Sequence, residues 1–395
     1  MMPAPPRPPI PRTVWVLGFV SLLMDMSSEV YHALLPAFVT ITLALPATAL
    51  GAIDGIAEAT ASFAKLISGR LSDRSARRKP WIVAGYGLAA LSKPLFPLAQ
   101  GVLPLMGARF ADRIGKGIRG SPRDAMIADE TPAEIRGRAF GLRQSLDTVG
   151  ALIGPLLGIA LMAWLMDIRL VFWIAAIPAV LAFLLAMLAL RESHRPHAQS
   201  APAPFFAGFR DLARPTRRLL AVGFLFTLAR FSEGFLILKG IEAGLSATLS
   251  PLTLVLFNLA FLALAYPAGA LSDRLSPRSI LMAGMALLIA GNLVLAQPLG
   301  LGGLVLGVAL WGAHMALTQG IFARMIADSA PEHLRATSFG AFWFTSGIGT
   351  LLASLAAGLI WDRDGSSAMF IASAGVAAVA MAMLTLLPGP ERRAA

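Results

Sequence analysis

The residues with the greatest capacity for chemistry are ionisable side chains inside long apolar stretches. Residues 108–129 concentrate such side chains, although hydrophobic residues make up 56% of the chain. A charge at the centre of a bilayer costs at least ~2.5–3.5 kcal/mol, so each charged group is expected to have a partner, a wet cavity or a function. Low dielectric favours a protonated carboxyl group and a nearby arginine favours the ionised form, so a change of neighbour can move a proton.

Helical spacing predicts which of these side chains share a face. Asp25, Glu29 and His32 follow i, i+4, i+7, and the basic residues of 102–128 fall within about a third of the helix circumference. The side chains predicted to line a proton-coupling and substrate cavity are Asp25, Glu29, His32, Asp54, Glu58, Arg109, Asp112, Arg113, Lys116, Arg143, Asp147, Arg230 and Glu233.

Within this set, the acidic and basic side chains are expected to have different roles. Asp25 and Glu29 are the first candidates to carry a proton, followed by Asp54, Glu58 and Asp147. The arginines at 109, 113 and 143 are candidates to contact an anion or to hold those acids ionised. The alternative is that these charges only pair to hold the helices together or orient their insertion. His314 is read first as a hydrogen-bonded interior histidine.

The composition requires a membrane protein to hold these groups. The mean hydropathy is +0.71 and 14% of residues are charged, against about 25% in soluble domains. Runs such as 171–190 are long enough to cross the hydrocarbon core as helices, and the alternating segments of a barrel are missing. Cysteine is absent, the histidines lack metal-ligand spacing, and no cofactor is predicted.

An internal repeat sets the number of helices. GRLSDR at 69–74 recurs as GALSDR at 269–274, and MIAD at 126–129 recurs at 325–328. The second MIAD ends an apolar helix, so the charged residues 102–128 are predicted to form the equivalent, fourth helix of the first half. The predicted fold is an all-α membrane protein of two six-helix repeats: tail 1–12, first half 13–190, linker 191–217, second half 218–387 and tail 388–395.

The distribution of basic residues predicts the orientation. With a cytoplasmic N-terminus, twenty Lys and Arg residues fall on the inner side and three on the outer side. Both termini are therefore predicted to be cytoplasmic, in a multi-pass protein of the inner membrane. The same count explains the net charge of +11 and argues against nucleic acid as a partner.

Three stretches resemble the major facilitator superfamily. GRLSDRSARRKP at 69–80 is similar to its signature loop, with Ala76 in place of the usual glycine, and 269–278 resembles a weaker second copy. Residues 150–158, GALIGPLLG, resemble the GxxxGPxxG pattern of proton-coupled drug and small-molecule exporters, although Ile159 replaces one usual glycine. Residues 112–129 resemble a prokaryotic branch of uncharacterised or efflux transporters.

The resemblance also implies structural roles. It implies that Asp73 and the arginines after it hold neighbouring helix ends when the inner side closes. The glycines of the exporter pattern are expected to pack against a helix of the other half. The implied gate consists of Gly69, Asp73, Arg74, Arg77, Arg78, Asp129, Arg136, Asp273, Arg274, Asp328 and Arg335, and the implied packing face of Gly150, Gly154, Pro155 and Gly158.

The predicted function is secondary transport by alternating access, with the site near the midplane between the halves. Export of a small organic compound in exchange for protons is favoured. The alternatives are a proton-coupled importer of an organic anion, using the arginines of 102–128, and a non-transporting membrane sensor. No nucleotide-binding loop or motif-supported catalytic triad occurs, so an enzyme is not expected. The protein is expected to be a monomer.

Overall fold

The described part of the chain is built from helices alone. The computed structural model describes residues 9–73, 75, 77–132, 135–191, 212, 214–272, 275–329 and 335–386, and these ranges contain no strand. The helices are α1 (Arg12–Ala37), α2 (Ala47–Asp73), α3 (Lys79–Ser92), α4 (Leu95–Leu98), α5 (Val102–Glu130), α6 (Arg136–Leu165), α7 (Ile168–Ala189), α8 (Arg214–Leu228), α9 (Gly234–Glu242), α10 (Leu252–Ser272), α11 (Pro277–Leu295), α12 (Gly300–Ser329) and α13 (Arg335–Thr385).

These helices account for the twelve predicted spans, and the predicted all-helical fold is confirmed. The third span is interrupted between α3 and α4, just before Pro94, which cannot donate a backbone hydrogen bond. The seventh span is divided into α8 and α9. Gly365 has φ 86° and ψ 169° inside α13, so this long element comprises the last two spans.

Composition alone identifies fewer spans than the fold contains. Six stretches within the described ranges are long and apolar enough to cross a membrane, and α5 is not among them because of its charges. The repeat nevertheless predicts a helix over 102–128, and α5 is a continuous helix of 29 residues. Its length of about 43 Å exceeds the thickness of a hydrocarbon core.

Backbone contacts group the chain into two units. Unit 1 comprises residues 1–38 and 60–201, and unit 2 comprises residues 39–59 and 202–395. The first part of α2 thus clusters with unit 2 and the remainder with unit 1. The predicted boundaries of the halves stay a prediction.

In unit 1, α1 packs against α6 and α7, and α3 packs against α5. The contact between α3 and α5 depends on glycines that let the backbones approach closely. A Cβ atom on Gly115 would lie 2.7 Å from the Gly85 carbonyl oxygen, and one on Gly85 would lie 2.7 Å from the Arg119 backbone nitrogen. Helices inside lipid gain no hydrophobic driving force from association, so the close packing that small residues permit stabilises this contact instead.

In unit 2, α13 packs against α8 and α11, and α12 packs against α10 and α11. The start of α2 is capped from α13, since the Asp362 carboxylate accepts hydrogen bonds from the backbone N–H groups of Ala47 at 2.9 Å and Thr48 at 2.7 Å. These donors have no partner within their own helix, so the carboxylate satisfies them.

Replacing Gly115 with valine is expected to destabilise unit 1, because the added side chain has no space against the α3 backbone. Overpacking of this kind costs about 1–3 kcal/mol. Thermal unfolding of the purified protein in detergent measures the effect. Gly107→Val is the matched control, since Gly107 lies on the same helix and a Cβ there meets nothing within 4 Å. Equal melting temperatures for the two variants would contradict the close contact.

Candidate functional site

The charged face of α5 is largely buried within unit 1. Arg109, Asp112, Arg113 and Arg119 each expose 5% or less of their surface, whereas Lys116 is exposed. The helix therefore holds several cations away from solvent, and the surrounding helices must supply their counter-charges.

The most deeply buried ion pair joins Lys93 to Asp112. The Lys93 Nζ lies 3.0 Å from Asp112 Oδ1, and their side chains are 0% and 3% exposed. The ammonium also donates to Ser28 Oγ at 3.1 Å and lies 4.7 Å from the centre of the Tyr31 ring. The pair thus connects α1, α5 and the interruption between α3 and α4.

Lys93 is not among the residues predicted to line the site. It is the one lysine or arginine of the apolar stretch 81–100, and this was the available signal. Tyr31, which donates a hydrogen bond of 2.5 Å to the Phe172 carbonyl, was not predicted either.

The two acids of α1 lie among charged groups of α5 and α6. Glu29 Oε2 is 3.3 Å from His32 Nδ1, and Glu29 is within electrostatic range of Lys116 and Arg113. Asp25 is within electrostatic range of Asp147 and of Lys116. The two α1 acids therefore lie within electrostatic range of cations on α5.

A second network connects α5 and α6. Arg143 Nη1 donates to Asp147 Oδ2 at 2.7 Å and lies 3.8 Å from Asp124 Oδ1, which is 3.2 Å from Arg123 Nε. Arg123 also donates to Ser21 Oγ on α1 at 2.8 Å. The side chains of 143 and 147 are only 12% and 15% exposed, whereas that of Asp124 is 34% exposed, so the network is shielded from solvent only in part.

The glycine pattern of α6 packs against the acids of α1. A Cβ on Gly150 would lie 3.2 Å from Asp25 Cβ, and one on Gly154 would lie 2.6 Å from Glu29 Cβ. The predicted partner, a helix of the other half, is wrong for these glycines, because α1 belongs to the same unit. Glycine spacing identifies a helix face that permits close approach, but it does not identify the neighbour.

Predicted residues of α2 belong to different units. Asp54 is 2% exposed and accepts a hydrogen bond of 2.6 Å from Ser232 Oγ within unit 2. Glu58 is half-buried and also belongs to unit 2, whereas Lys65 belongs to unit 1.

The implied cytoplasmic gate is described in part. Arg78 Nε donates to Asp129 Oδ2 at 2.8 Å, which joins the start of α3 to the end of α5. Arg77 is exposed, and Gly69 lies close to Ser121 of α5. Arg74, Asp273 and Arg274 lie outside the described residues, as do the side chains of Asp73, Arg136, Asp328 and Arg335.

Arg230 and Glu233, both predicted to line the cavity, do not lie on a continuous helix. α8 ends at Leu228 and α9 begins at Gly234, so both residues lie in a break of the seventh span. Side chains satisfy the backbone there: the Ser232 N–H donates to Ser354 Oγ at 3.2 Å, and the Gly234 N–H donates to Ser232 Oγ at 3.2 Å. Such compensation permits non-helical backbone at membrane depth.

Comparison with known proteins identifies the class that this fold and these buried charges define. The profile of the Major Facilitator Superfamily matches residues 17–353 and 237–395. The chain belongs to this superfamily of membrane transporters and is not an enzyme.

Relatives and solved structures agree with this family. The chain is 30% identical to an uncharacterised MFS-type transporter of Methanocaldococcus jannaschii over 358 residues, covering 89% of this chain and 88% of the relative. It is 29% identical to multidrug resistance protein 1 of Bacillus subtilis over 214 residues, covering 52% and 53% of the two chains. The crystal structure of nucleoside transporter NupG (D323A mutant) matches with a TM-score of 0.81 at 13% identity, covering 95% of this chain and 99% of that chain, and shows the fold alone.

The buried pair predicts an asymmetry between two single substitutions. Asp112→Asn strands Lys93 without a carboxylate partner, which costs about 3–5 kcal/mol. Lys93→Met is expected to cost less, because Asp112 remains within electrostatic range of Arg109 and Arg113. Melting temperatures in detergent should rank Asp112→Asn below Lys93→Met, with exposed Asp364→Asn as the unchanged control. The reverse order would contradict this assignment of charges.

Proposed function

We propose that this transporter exports a small organic compound in exchange for protons and works by alternating access, as a proton-coupled antiporter of the drug and small-molecule efflux branch. The single observation that carries the proposal is the position of Asp25 and Glu29. Both acids lie against the glycines of the exporter-like pattern and within electrostatic range of α5 cations. The similarity to multidrug resistance protein 1 of Bacillus subtilis supports the same direction.

The environment of the acids suits reversible proton binding. Burial disfavours the ionised carboxylate, whereas neighbouring lysine and arginine side chains favour it, so modest changes in their positions change the proton affinity. Asp25 also lies within range of a second acid, Asp147, which disfavours two negative charges in one place. Proton uptake from outside and release inside can then be coupled to the outward movement of the substrate.

The energetics favour such an exchange. Each proton that moves inward across ~100 mV releases ~2.3 kcal/mol before any pH difference is added. The cations of α5 need not move with the proton, because their role is to set when the acids are ionised. In this scheme the protein is a monomer in the inner membrane. Both of its termini are in the cytoplasm, as the distribution of basic residues predicts.

Import of an organic anion is the second candidate, because Arg109 and Arg113 are cations buried on α5. Everted and right-side-out vesicles distinguish the two directions. A compound selected by a ligand-stabilisation screen on the purified protein serves as the tracer. Uptake into everted vesicles that are acidic inside, abolished by a protonophore, supports export. Uptake only into right-side-out vesicles with an acidic exterior overturns export in favour of import.

Asp25→Asn and Glu29→Gln are each expected to reduce the rate of proton-driven uptake at least tenfold. Tracer counterflow, measured without a proton gradient, is expected to persist in both variants. The reason is that an amide retains polarity and size but cannot exchange a proton. Both are measured in everted vesicles across a range of pH, with Asp364→Asn as the matched control because that acid is 52% exposed on the chain's surface. Unchanged pH dependence in both variants would exclude these acids as proton carriers.

Gly154→Ala is expected to reduce proton-driven transport severalfold, because its methyl group would collide with Glu29 Cβ and the Met26 carbonyl oxygen, at 2.6 and 2.8 Å. Gly158→Ala is the matched control on the same face, since its methyl group would meet Leu34 at 3.6 Å, an ordinary contact. Both variants are compared by initial rates at equal amounts of protein in the membrane. Equal loss in both would show that the glycine face does not act through Glu29.

A further inference from the structure

Arg230 lies in the break of the seventh span, between α8 and α9. We infer that Arg230, together with His314, binds the carboxylate of an organic acid within unit 2. This inference rests on the proposed transport function and adds the substrate class, an organic acid with an apolar body.

Arg230 makes no ion pair within 4 Å with a carboxylate of the described residues, and Glu233 lies within electrostatic range of it without such a contact. Its Nη2 donates to the Met315 thioether sulfur at 2.6 Å, and its Nε is buried with no hydrogen-bond acceptor. A thioether is a weak acceptor, so it does not replace a carboxylate. The paired cations of unit 1, such as Lys93 and Arg143, show the contrast.

The Arg230 side chain is part-buried. A guanidinium is always charged, and it matches a carboxylate through two parallel hydrogen bonds. Among the described residues no carboxylate makes these two hydrogen bonds, so a ligand carboxylate can provide both acceptors. The break places Arg230 outside the regular helix, on the kind of interrupted backbone that forms binding sites in transporters.

His314 provides a second unmet hydrogen-bonding group. Its side chain is 0% exposed, and its ring nitrogens make no hydrogen bond of ordinary geometry with the described residues, although the Trp311 backbone lies within reach of the ring. It precedes Met315 on α12 and lies within electrostatic range of Arg230. Buried polar groups are normally satisfied, so a poorly satisfied ring beside a cation with no carboxylate in contact points to an absent acceptor.

The surroundings define the rest of the ligand. The Phe226 ring centre is 5.7 Å from Arg230 Cζ and 6.4 Å from the His314 ring centre, and Trp311 stands edge-on to His314 at 4.9 Å. These aromatic side chains favour an apolar or aromatic body behind the carboxylate. Met315 is flexible enough to leave the guanidinium when a carboxylate arrives.

Equilibrium binding to the full chain in detergent tests this inference. The probes are benzoate and hexanoate, each compared with its neutral amide, benzamide or hexanamide, which has nearly the same shape. At least one acid is expected to bind at least tenfold more tightly than its amide. Arg230→Gln should weaken the binding of that acid about tenfold or more and leave amide binding unchanged. His314→Phe should weaken it severalfold.

The controls separate this inference from folding and from the proposed function. Arg363→Gln removes a cation that is 86% exposed and should leave binding unchanged. If Arg230→Gln does not fold, Arg230→Lys, which keeps the charge, is measured in its place. Acids that bind no tighter than their amides, or binding that Arg230→Gln and Arg230→Lys do not weaken, overturn the inference. Carboxylate binding at Arg230 without proton exchange in vesicles would leave the inference standing and overturn the proposed function.

Discussion

The cost of burying charge away from water is the constraint on which unit 1 depends. Lys93 and Asp112 are nearly inaccessible, so neither is stable without the other or a close substitute. Their contact holds α5 against α1 and against the interruption between α3 and α4. Two other cations of α5 also have partners. Arg123 contacts Asp124 and Ser21, and Arg119 lies 4.7 Å from the Tyr86 ring centre. Charge pairing therefore determines the helix arrangement that apolar contacts alone do not specify in lipid.

Close backbone approach is the second condition for this arrangement. Glycines at 150 and 154 bring α6 against the part of α1 that carries the two acids, and Gly85 and Gly115 bring α3 against α5. The exporter-like glycine pattern and the acids are consequently one structural group. Two features that the sequence presents as separate, a packing motif and a pair of ionisable residues, meet in space.

The repeat and the basic loops sufficed to predict an all-helical chain of twelve spans, because both depend on periodicity and composition. The charged α5 was predictable only through its apolar counterpart, since its own hydropathy is low. Three features were not predictable. The neighbour of the α6 glycines depends on tertiary packing, the pairing of Lys93 with Asp112 joins distant segments, and the break at 229–233 depends on hydroxyl groups of Ser232 and Ser354 that satisfy backbone and carboxylate groups.

The partners of α5 also have a consequence for biogenesis. α5 carries too much charge to qualify as a spanning helix by its own composition, so partition from the translocon into lipid by itself is unfavourable. Its contacts with Ser21, Tyr86 and Lys93 all involve residues that the ribosome makes earlier. The earlier helices α1 and α3 are therefore available to pack against α5 when it is synthesised. Membrane integration of α5 then depends on these partners and on the order of synthesis.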